Sequence, residues 1–336
     1  MIPDISVIIC AHNPRPDHLR RALDALKCQT LPLERWELLL VDNASKEPLA
    51  PTWDLSWHIQ ARHIRENEVG LTAARLRGIK EAAGALLVFV DDDNVLAPDY
   101  LEKAAELEQS YNCIGAFGGN VIPEFETPPE SWVNIMWSIF AVVEVKAEQW
   151  TCGPGTSAQL SAPCGSGMII RKTVAQHWAN LAANDPLRRG LGRKGSSLAG
   201  SEDIDMALCA CRLGMAVGRF PQLRLTHLIA ARRLKRDYLL RLAEDSALSD
   251  AVLHFIWDGK VPSTEEGQYN RSERIFRNYK SFMYHLRNRR NPSFAYEHML
   301  ACRRGRGRAV ELVAAMQKNR IARNAEPGPL QIRIVE

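Results

Sequence analysis

Two kinds of hydrophobic pattern alternate along the first part of the chain. Short continuous apolar runs occupy Ile5 to Cys10, Trp36 to Val41 and Leu86 to Val90. Their length and their content of Val, Ile and Leu favour strands that are buried on both faces. Segments with helical spacing lie between them, one starting at Asp17 and another from Gly70 to Ala83. The alternation predicts right-handed βαβ units and an α/β fold with a mainly parallel central sheet.

The pattern changes in the last third of the chain. No strand is predicted beyond His227, whereas Arg232 to Trp257 and Thr264 to Arg290 have helical patterns. The tail from Pro327 is expected to be frayed. We therefore expect a first domain at residues 1–230 and a helical C-terminal extension at residues 231–336.

Polar residues follow the predicted strands at the points where the strands end. Ala11, His12 and Asn13 follow the first strand, Asp42 ends the second, and Asp91 to Asp93 follow the strand at Leu86 to Val90. In open α/β sheets, ligands bind at the carboxyl ends of the strands. We therefore expect these residues to line one ligand site.

The three consecutive carboxylates Asp91, Asp92 and Asp93 indicate a cation site. Adjacent anions repel one another, so the pKa of at least one should be raised unless a cation is close. Two side chains at positions i and i+2 after a strand can hold a hard divalent ion and leave other coordination positions for phosphate oxygens. A polar loop, or a helix N-terminus with acidic residues, is the alternative interpretation.

A second pair of carboxylates opens a later helix. Residues 184–201 are rich in Gly and basic side chains, which predicts a mobile, mostly solvated loop. Clamping of a pyrophosphate is the alternative role for its basic residues, which are Arg188, Arg189, Arg193 and Lys194. Ser201 is a suitable N-cap and places Glu202 and Asp203 in the first helical turn, where the helix dipole is expected to lower the pKa of Asp203.

The composition is that of an ordinary folded protein. Hydrophobic residues make up 46% and charged residues 24% of the chain, which argues against disordered, collagen-like and coiled-coil classes. The longest apolar stretch, Trp132 to Val143, is too short to cross a bilayer, and no signal peptide is recognised. The 8 cysteines have no CxxC spacing, so we expect reduced thiols in a cytoplasmic protein.

In their order and context, several segments resemble the inverting glycosyltransferases of family 2. The segments are VIICAHN, LLLVDNAS, GLTAARLRGI, LLVFVDDDNVLAPDYL, GSGMIIRK and GSEDIDMAL, and they lie between Ile5 and His227. The resemblance implies the GT-A fold, a Rossmann-like nucleotide-binding sandwich with a mainly parallel sheet. It also implies a transferase that binds a nucleotide sugar together with Mn²⁺ or Mg²⁺.

The resemblance further implies roles for individual residues. Asp203 corresponds to the general base, and Glu202 supports it. Asp93 and Asp91 correspond to the metal ligands, with His227 either a third ligand or a structural histidine. The residues expected to contact the nucleotide sugar are Ala11, His12, Asn13, Asp42, Arg75, Asp91, Asp92 and Gly167.

For two of these residues, the resemblance also implies which part of the donor they contact. Asp42 corresponds to the acid that accepts a hydrogen bond from the base of the donor, and Arg75 to the arginine that reaches the phosphates. Gly167 is expected to let the backbone approach the sugar, although a glycine there can equally serve a turn.

The expected reaction is a single displacement with inversion at the anomeric carbon. An acceptor hydroxyl needs a carboxylate as general base, and a divalent ion stabilises the charge of the leaving diphosphate. We expect a UDP-linked donor, transfer of a hexosyl or N-acetylhexosaminyl group, and a glycan or lipid-linked glycan acceptor in polysaccharide or cell-surface glycan synthesis.

Two other functions stay open. One is a phosphohydrolase or phosphotransferase with an aspartyl nucleophile, although such enzymes usually carry the acidic loop after the first strand. The other is a catalytically silent protein that binds nucleotide sugars.

A basic segment near the C-terminus suggests a further contact. Arg287 to Arg308 contains seven arginines and no lysine, and Phe294 and Tyr296 lie within it. One interpretation of such a segment is peripheral binding to anionic lipid at the inner face of a membrane. A solvated helical face and a homodimer contact are the alternatives, and no motif for nucleic acid accompanies the arginines.

Overall fold

The computed structural model describes residues 2–262 and 292–325, which form an α/β fold around one mixed sheet. Its strands are β1 (Ile5–Ala11), β2 (Trp36–Asn43), β3 (Ala61–Glu66), β4 (Leu86–Asp91), β5 (Asn94–Leu96), β6 (Ile114–Phe125), β7 (Gln149–Thr151), β8 (Ile169–Arg171) and β9 (Ala216–Ile229). Its α-helices are α1 (Pro16–Lys27), α2 (Leu71–Glu81), α3 (Tyr100–Ser110), α4 (Lys172–Ala183), α5 (Pro186–Arg189), α6 (Glu202–Arg212), α7 (Arg236–Asp258) and α8 (Pro292–Ala325). The 3₁₀ segments are Leu33–Arg35, Ser131–Phe140, Gln159–Ser161 and Ala231–Leu234.

The sheet has the strand order β3-β2-β1-β4-β8-β6-β9-β5, and β7 pairs with β9. Strands β3, β2, β1 and β4 are all parallel, as are β6 and β9, whereas β8 runs antiparallel to both of its neighbours. In the parallel part, Ala11 pairs with Asp42 and Cys10 with Asp91. The polar strand ends therefore lie at one edge of the sheet, and the predicted α/β fold is confirmed.

The continuous apolar runs are explained by helices on both faces of the sheet. In β4, Val88 packs in the core layer formed with α1 and α3, and the next residue, Phe89, packs in the layer formed with α2, α4 and α6. Alternate residues of β1 and β2 divide between the two layers in the same way. No residue of these strands is left to face solvent, so no polar alternation is seen in the sequence.

The C-terminal helices pack on the sheet through a separate apolar cluster. The 3₁₀ segment at 131–140 contributes Val133 and Phe140, α7 contributes Leu239 and Leu242, and α8 contributes Phe294. The predicted contact of Phe294 with lipid is therefore wrong, because the side chain is buried beside Trp132, 4.3 Å away between ring centroids. Packing inside the protein already excludes this apolar side chain from water, so it is not available for contact with lipid.

The basic segment of α8 is partly used in helix packing. Arg304 donates a hydrogen bond to Glu244 at 2.8 Å, and Arg308 donates to Glu244 at 3.1 Å and to Asp245 at 2.9 Å. The helix predicted at Thr264 to Arg290 and the tail from Pro327 lie outside the described residues. Within 2–262 and 292–325, no helix is long and apolar enough to cross a membrane.

Candidate active site

A cavity of about 1010 Å³ lies at the carboxyl edge of β1 and β4. Most of the residues expected at the site line it, namely Ala11, His12, Asn13, Arg75, Asp91, Asp92, Asp93, Glu202, Asp203 and His227. They come from strand ends, from α2, from the first turn of α6 and from β9. Segments far apart in the sequence therefore meet in one cavity, whereas Asp42 and Gly167 do not line it.

The acidic turn after β4 is held by Asn94, a residue that the sequence did not single out. The Asn94 side chain accepts a hydrogen bond from the Asp91 backbone N–H at 3.2 Å and donates to Asp93 Oδ1 at 3.1 Å. Asn94 is buried in β5 and pairs with His227 of β9. Its position directly after three acids is the feature of the sequence that could have indicated this role. The turn therefore presents its carboxylates from a fixed backbone.

Asp93 and His227 lie side by side, as expected for two ligands of one metal. Asp93 Oδ2 is 3.5 Å from His227 Nε2. Asp91 faces other groups, because its Oδ2 accepts a hydrogen bond from Ser166 at 3.2 Å and its Oδ1 is 3.7 Å from Arg75 Nη2. Among residues 2–262 and 292–325, no group of three or more His, Cys, Asp or Glu donors could hold a metal. The pair fits an ion that takes its remaining ligands from water and phosphate.

The adjacent acids differ in their protonation, as expected from their mutual repulsion. Burial raises the pKa of Asp92, and the charges of Asp93 and Asp91 raise it further. Burial also raises the pKa of Asp93, but the proximity of His227, Arg233 and Arg193 outweighs it, so the pKa is lowered overall. Of the two adjacent acids Asp92 and Asp93, Asp93 is therefore the anionic one.

Arg75 connects the two acidic motifs. Its guanidinium is buried, with Nη1 3.0 Å from Glu202 Oε1 and Nη2 3.7 Å from Asp91 Oδ1. Burial lowers the pKa of Arg75, but Glu202, Asp91 and Asp203 raise it more, so it stays charged. The ring of Phe89 lies 5.4 Å below the guanidinium. Arg75 therefore fixes α6 relative to the end of β4, and its predicted contact with phosphate stays a prediction.

Asp203 is held at the start of α6 by two backbone N–H groups. Its Oδ2 accepts from Gly165 at 2.6 Å and its Oδ1 from Ile204 at 2.8 Å. The predicted lowering of its pKa is wrong, because burial raises the pKa more than Arg75 and these N–H groups lower it. Burial likewise raises the pKa of Glu202, to about 7. Ser201 occupies the N-cap position, but its side chain makes no capping hydrogen bond.

Asp42 stabilises the loop after β2 instead of lining the cavity. Its Oδ1 accepts from the Ser45 N–H at 3.0 Å, and its Oδ2 accepts from Leu49 at 3.1 Å and from Arg65 at 2.5 Å. Burial raises the pKa of Asp42, but these hydrogen bonds lower it more. The neighbouring Asn43 lines the cavity in its place. A contact between Asp42 and the donor base stays a prediction.

The loops after β1 and β2 hold each other in position. His12 Nδ1 donates to the Asn43 carbonyl at 2.6 Å. Asn13 adopts a positive φ of 48°, donates its backbone N–H to Ser45 Oγ at 2.9 Å and accepts from the Lys46 N–H at 2.9 Å. The two strand ends thus form one rigid wall of the cavity.

Gly167 serves a buried turn. Its φ is +72°, its carbonyl accepts from the Tyr100 hydroxyl at 2.6 Å, and a Cβ there would lie 2.4 Å from Leu225 Cδ2. The glycine of this loop that lines the cavity is Gly165, where a Cβ would lie 2.6 Å from Arg75 Nη2 and 3.2 Å from Asp203 Oδ2. The placement of Gly167 therefore favours the turn over a sugar contact.

The basic segment at 184–201 contains a short helix and ion pairs that were not predicted. Arg188 belongs to the short helix α5, is buried, and forms an ion pair with Asp205. Arg189 forms an ion pair with Glu68. Arg193 and Lys194 are exposed and line the cavity. The prediction of a solvated loop is thus wrong for Arg188, because Asp205 needs a buried counter-charge.

Arg233 also reaches the acidic turn, although no sequence motif indicated this contact. Its Nη1 lies 3.3 Å from Asp93 Oδ2 and 3.0 Å from His227 Nε2. The carboxylate, the imidazole and the guanidinium therefore form one compact group in the cavity wall.

The sequence matches a known protein family and several of its relatives. Residues 6–173 match the model of the family described as "Glycosyl transferase family 2". The glycosyltransferase AglE of Haloferax volcanii is 31% identical over 148 residues, which are 43% of this chain and 47% of that protein. The glucosyl-dolichyl phosphate glucuronosyltransferase of the same organism is 23% identical over 124 residues, 36% of this chain and 39% of that protein.

The chain thus spans about half the length, or less, of the curated relatives it matches. Among solved structures, S. aureus TarS 1-349 in complex with UDP-GlcNAc has a TM-score of 0.49 and 16% sequence identity. That similarity covers 75% of this chain and 73% of the other.

Proposed function

Because the chain belongs to glycosyl transferase family 2, we propose that it is an inverting, metal-dependent transferase that moves a sugar from a UDP-linked donor to a hydroxyl of a glycan or lipid-linked glycan. One observation carries the proposal. The anionic Asp93 with His227 and the base candidate Asp203 line the same cavity. An inverting transfer needs both parts, a group at the leaving diphosphate and a base at the attacking hydroxyl.

On the donor side, the chain supplies groups for the diphosphate. A divalent ion, Mn²⁺ or Mg²⁺, bound by Asp93 and His227 would neutralise the charge that develops on the leaving group. Arg193 and Lys194 are exposed cations in the cavity lining. Their side chains can donate charge-assisted hydrogen bonds to phosphate oxygens.

On the acceptor side, Asp203 takes the proton of the attacking hydroxyl. Burial raises its pKa, which makes it a stronger base than an ordinary aspartate. The Gly165 N–H at 2.6 Å fixes one oxygen of the carboxylate. Glu202 acts indirectly, since its ion pair with Arg75 holds the first turn of α6 in place.

Part of the cavity wall is formed by the C-terminal helices. Tyr238, Leu242 and Asp250 of α7 and His298 of α8 line it. The mixture of apolar and polar side chains suits an acceptor with both a sugar and an apolar portion. One relative is named for a lipid-phosphate-linked sugar, glucosyl-dolichyl phosphate, which agrees with a lipid-linked acceptor.

The proposal is tested by hydrolysis of nucleotide sugars. UDP- and GDP-sugars are incubated with the protein, with and without Mn²⁺, and release of nucleoside diphosphate is measured for wild type and Asp203→Asn. We expect Mn²⁺-dependent release from a UDP-sugar and a loss of about 100-fold or more in Asp203→Asn, the usual contribution of a general base. UDP affinity should stay within about threefold of wild type, because Asn keeps the size of the side chain.

The matched control is Asp237→Asn, which changes an exposed carboxylate outside the cavity lining. It should hydrolyse the donor at the wild-type rate. Wild-type turnover by Asp203→Asn would show that another group is the base.

A further inference from the structure

Asp93 and His227 are both contacted by one arginine of the same chain. Arg233 lies in the 3₁₀ segment after β9, and only 7% of its surface is exposed. Its Nη1 lies 3.3 Å from Asp93 Oδ2 and 3.0 Å from His227 Nε2, so this one NH₂ group bridges the two atoms that would bind a metal. The guanidinium also stacks on Phe140, 5.5 Å from the ring centroid.

The hydrogen bonds of His227 decide which of its nitrogens can accept. Nδ1 lies 3.0 Å from the carbonyl oxygen of Phe140, which can only accept, so Nδ1 carries the proton. Nε2 then has a single lone pair in the plane of the ring, and that lone pair accepts from Arg233. A metal bound to Nε2 would need the same lone pair. The bond from Arg233 and a bond to a metal therefore exclude each other.

We propose that Arg233 is a built-in cation that competes with the divalent metal for Asp93 and His227. The inference rests on the metal site of the proposed function. In the metal-free protein, the guanidinium neutralises Asp93 and occupies His227. When a metal binds, the guanidinium leaves both atoms, and the ion takes its place.

The surroundings of Arg233 make this exchange feasible. Its Nε is buried and has no hydrogen-bond partner, so the guanidinium is not fully hydrogen-bonded in this position. The unsatisfied N–H makes the closed position less stable than that of a fully bonded arginine. Arg233 also lines the cavity, so the released side chain has space to enter and can meet phosphate oxygens of the donor.

The competition predicts how metal and nucleotide bind. The apparent affinity for a metal falls in proportion to the fraction of molecules in which the site is open. Metal alone should therefore bind weakly. The diphosphate should strengthen metal binding, because it offers further ligands to the metal and an anionic partner to the displaced guanidinium.

The test is Mn²⁺ binding without nucleotide, followed by calorimetry or by the electron paramagnetic resonance signal of free Mn²⁺. We expect Arg233→Met to bind Mn²⁺ about 10-fold tighter than wild type, because the site no longer has to be opened. Arg232→Met is the matched control, since it removes the same charge from the same cavity lining at an exposed position. Its affinity should stay within about threefold of wild type, which is the size of a screened charge effect.

A second measurement uses the wild type, so that it does not depend on the folding of a variant. The side-chain NMR signal of Arg233 is followed during titration with Mg²⁺ and UDP, and it should shift as the guanidinium leaves Asp93. Arg188, a buried arginine paired with Asp205, is the internal reference and should not shift. An unchanged Arg233 signal at saturation would overturn the proposal.

Failure of this inference and failure of the proposed function give different results. If wild type binds Mn²⁺ together with UDP, but Arg233→Met binds Mn²⁺ alone no tighter than wild type does, the competition is wrong and the metal site stands. If neither protein binds Mn²⁺ even with UDP present, both the competition and the metal site of the proposed function are wrong.

Discussion

Burial and nearby charged or hydrogen-bonding groups act in opposite directions on the pKa values of the carboxylates in the cavity. Asp93 faces Arg233 and His227, and its pKa is lowered. Asp203 has Arg75 and two N–H groups near it, yet burial dominates and its pKa is raised. The same residue type is therefore suited to hold a cation at one position and to accept a proton at the other.

The raised pKa of Asp203 predicts the pH dependence of turnover. A general base must be ionised, so activity should be lost as the pH falls through its pKa. Because this pKa is raised from 3.8, the acid limb of kcat/KM should lie above that value. The measurement is the rate of donor hydrolysis as a function of pH.

Glu202→Gln provides the control for this profile. The pKa of Glu202 is raised to about 7, so this residue is another group that could produce an acid limb. The limb should persist in Glu202→Gln if Asp203 is the base. A limb that disappears in this variant would assign the titration to Glu202.

At the scale of elements, α6 is held in place by a buried group around Asp205. Arg188 of α5 forms an ion pair with Asp205, and the indole N–H groups of Trp178 in α4 and Trp257 in α7 donate to it at 2.8 Å and 2.7 Å. Four helices thus meet at one carboxylate. Because Asp203 is in the first turn of the same helix, this group also fixes the base candidate.

Arg188→Met is expected to lower the free energy of unfolding by about 3–5 kcal/mol, because it leaves the charge of Asp205 buried and unpaired. The measurement is the urea denaturation midpoint at constant slope. Arg189→Met is the matched control, since its ion pair with Glu68 is partly exposed and contributes about 0–1 kcal/mol. Equal losses in the two variants would contradict a structural role of the buried pair.

The elements were more predictable from the sequence than the contacts between them. Continuous apolar runs bounded by polar residues located β1, β2 and β4, because burial on both faces leaves a strong local pattern. The bridge from Arg233 to Asp93 joins residues 140 positions apart, and the Asp42 bonds depend on how the next loop folds. Such partners leave no local pattern. The error in the pKa of Asp203 has the same origin, since burial is a property of the folded chain.

On the scale of the whole molecule, the cavity is shared between the sheet and the C-terminal helices. The boundary predicted near residue 230 separates His227 from Arg233, yet both lie in one hydrogen-bonded group. Residues of α7 and α8 line the same cavity. The helical extension therefore completes the site, and the acceptor is expected to contact it.

Calorimetry of UDP binding in the presence of Mn²⁺, with wild type and Asp93→Ala, tests the metal-dependent donor site most directly. We predict that wild type binds UDP with Mn²⁺ and that Asp93→Ala loses at least about 10-fold in affinity, since it removes the anionic ligand of the ion. Asp237→Ala, which removes an exposed acid outside the cavity lining, should bind as wild type does. Equal UDP affinity of Asp93→Ala and wild type would contradict the metal-assisted donor site.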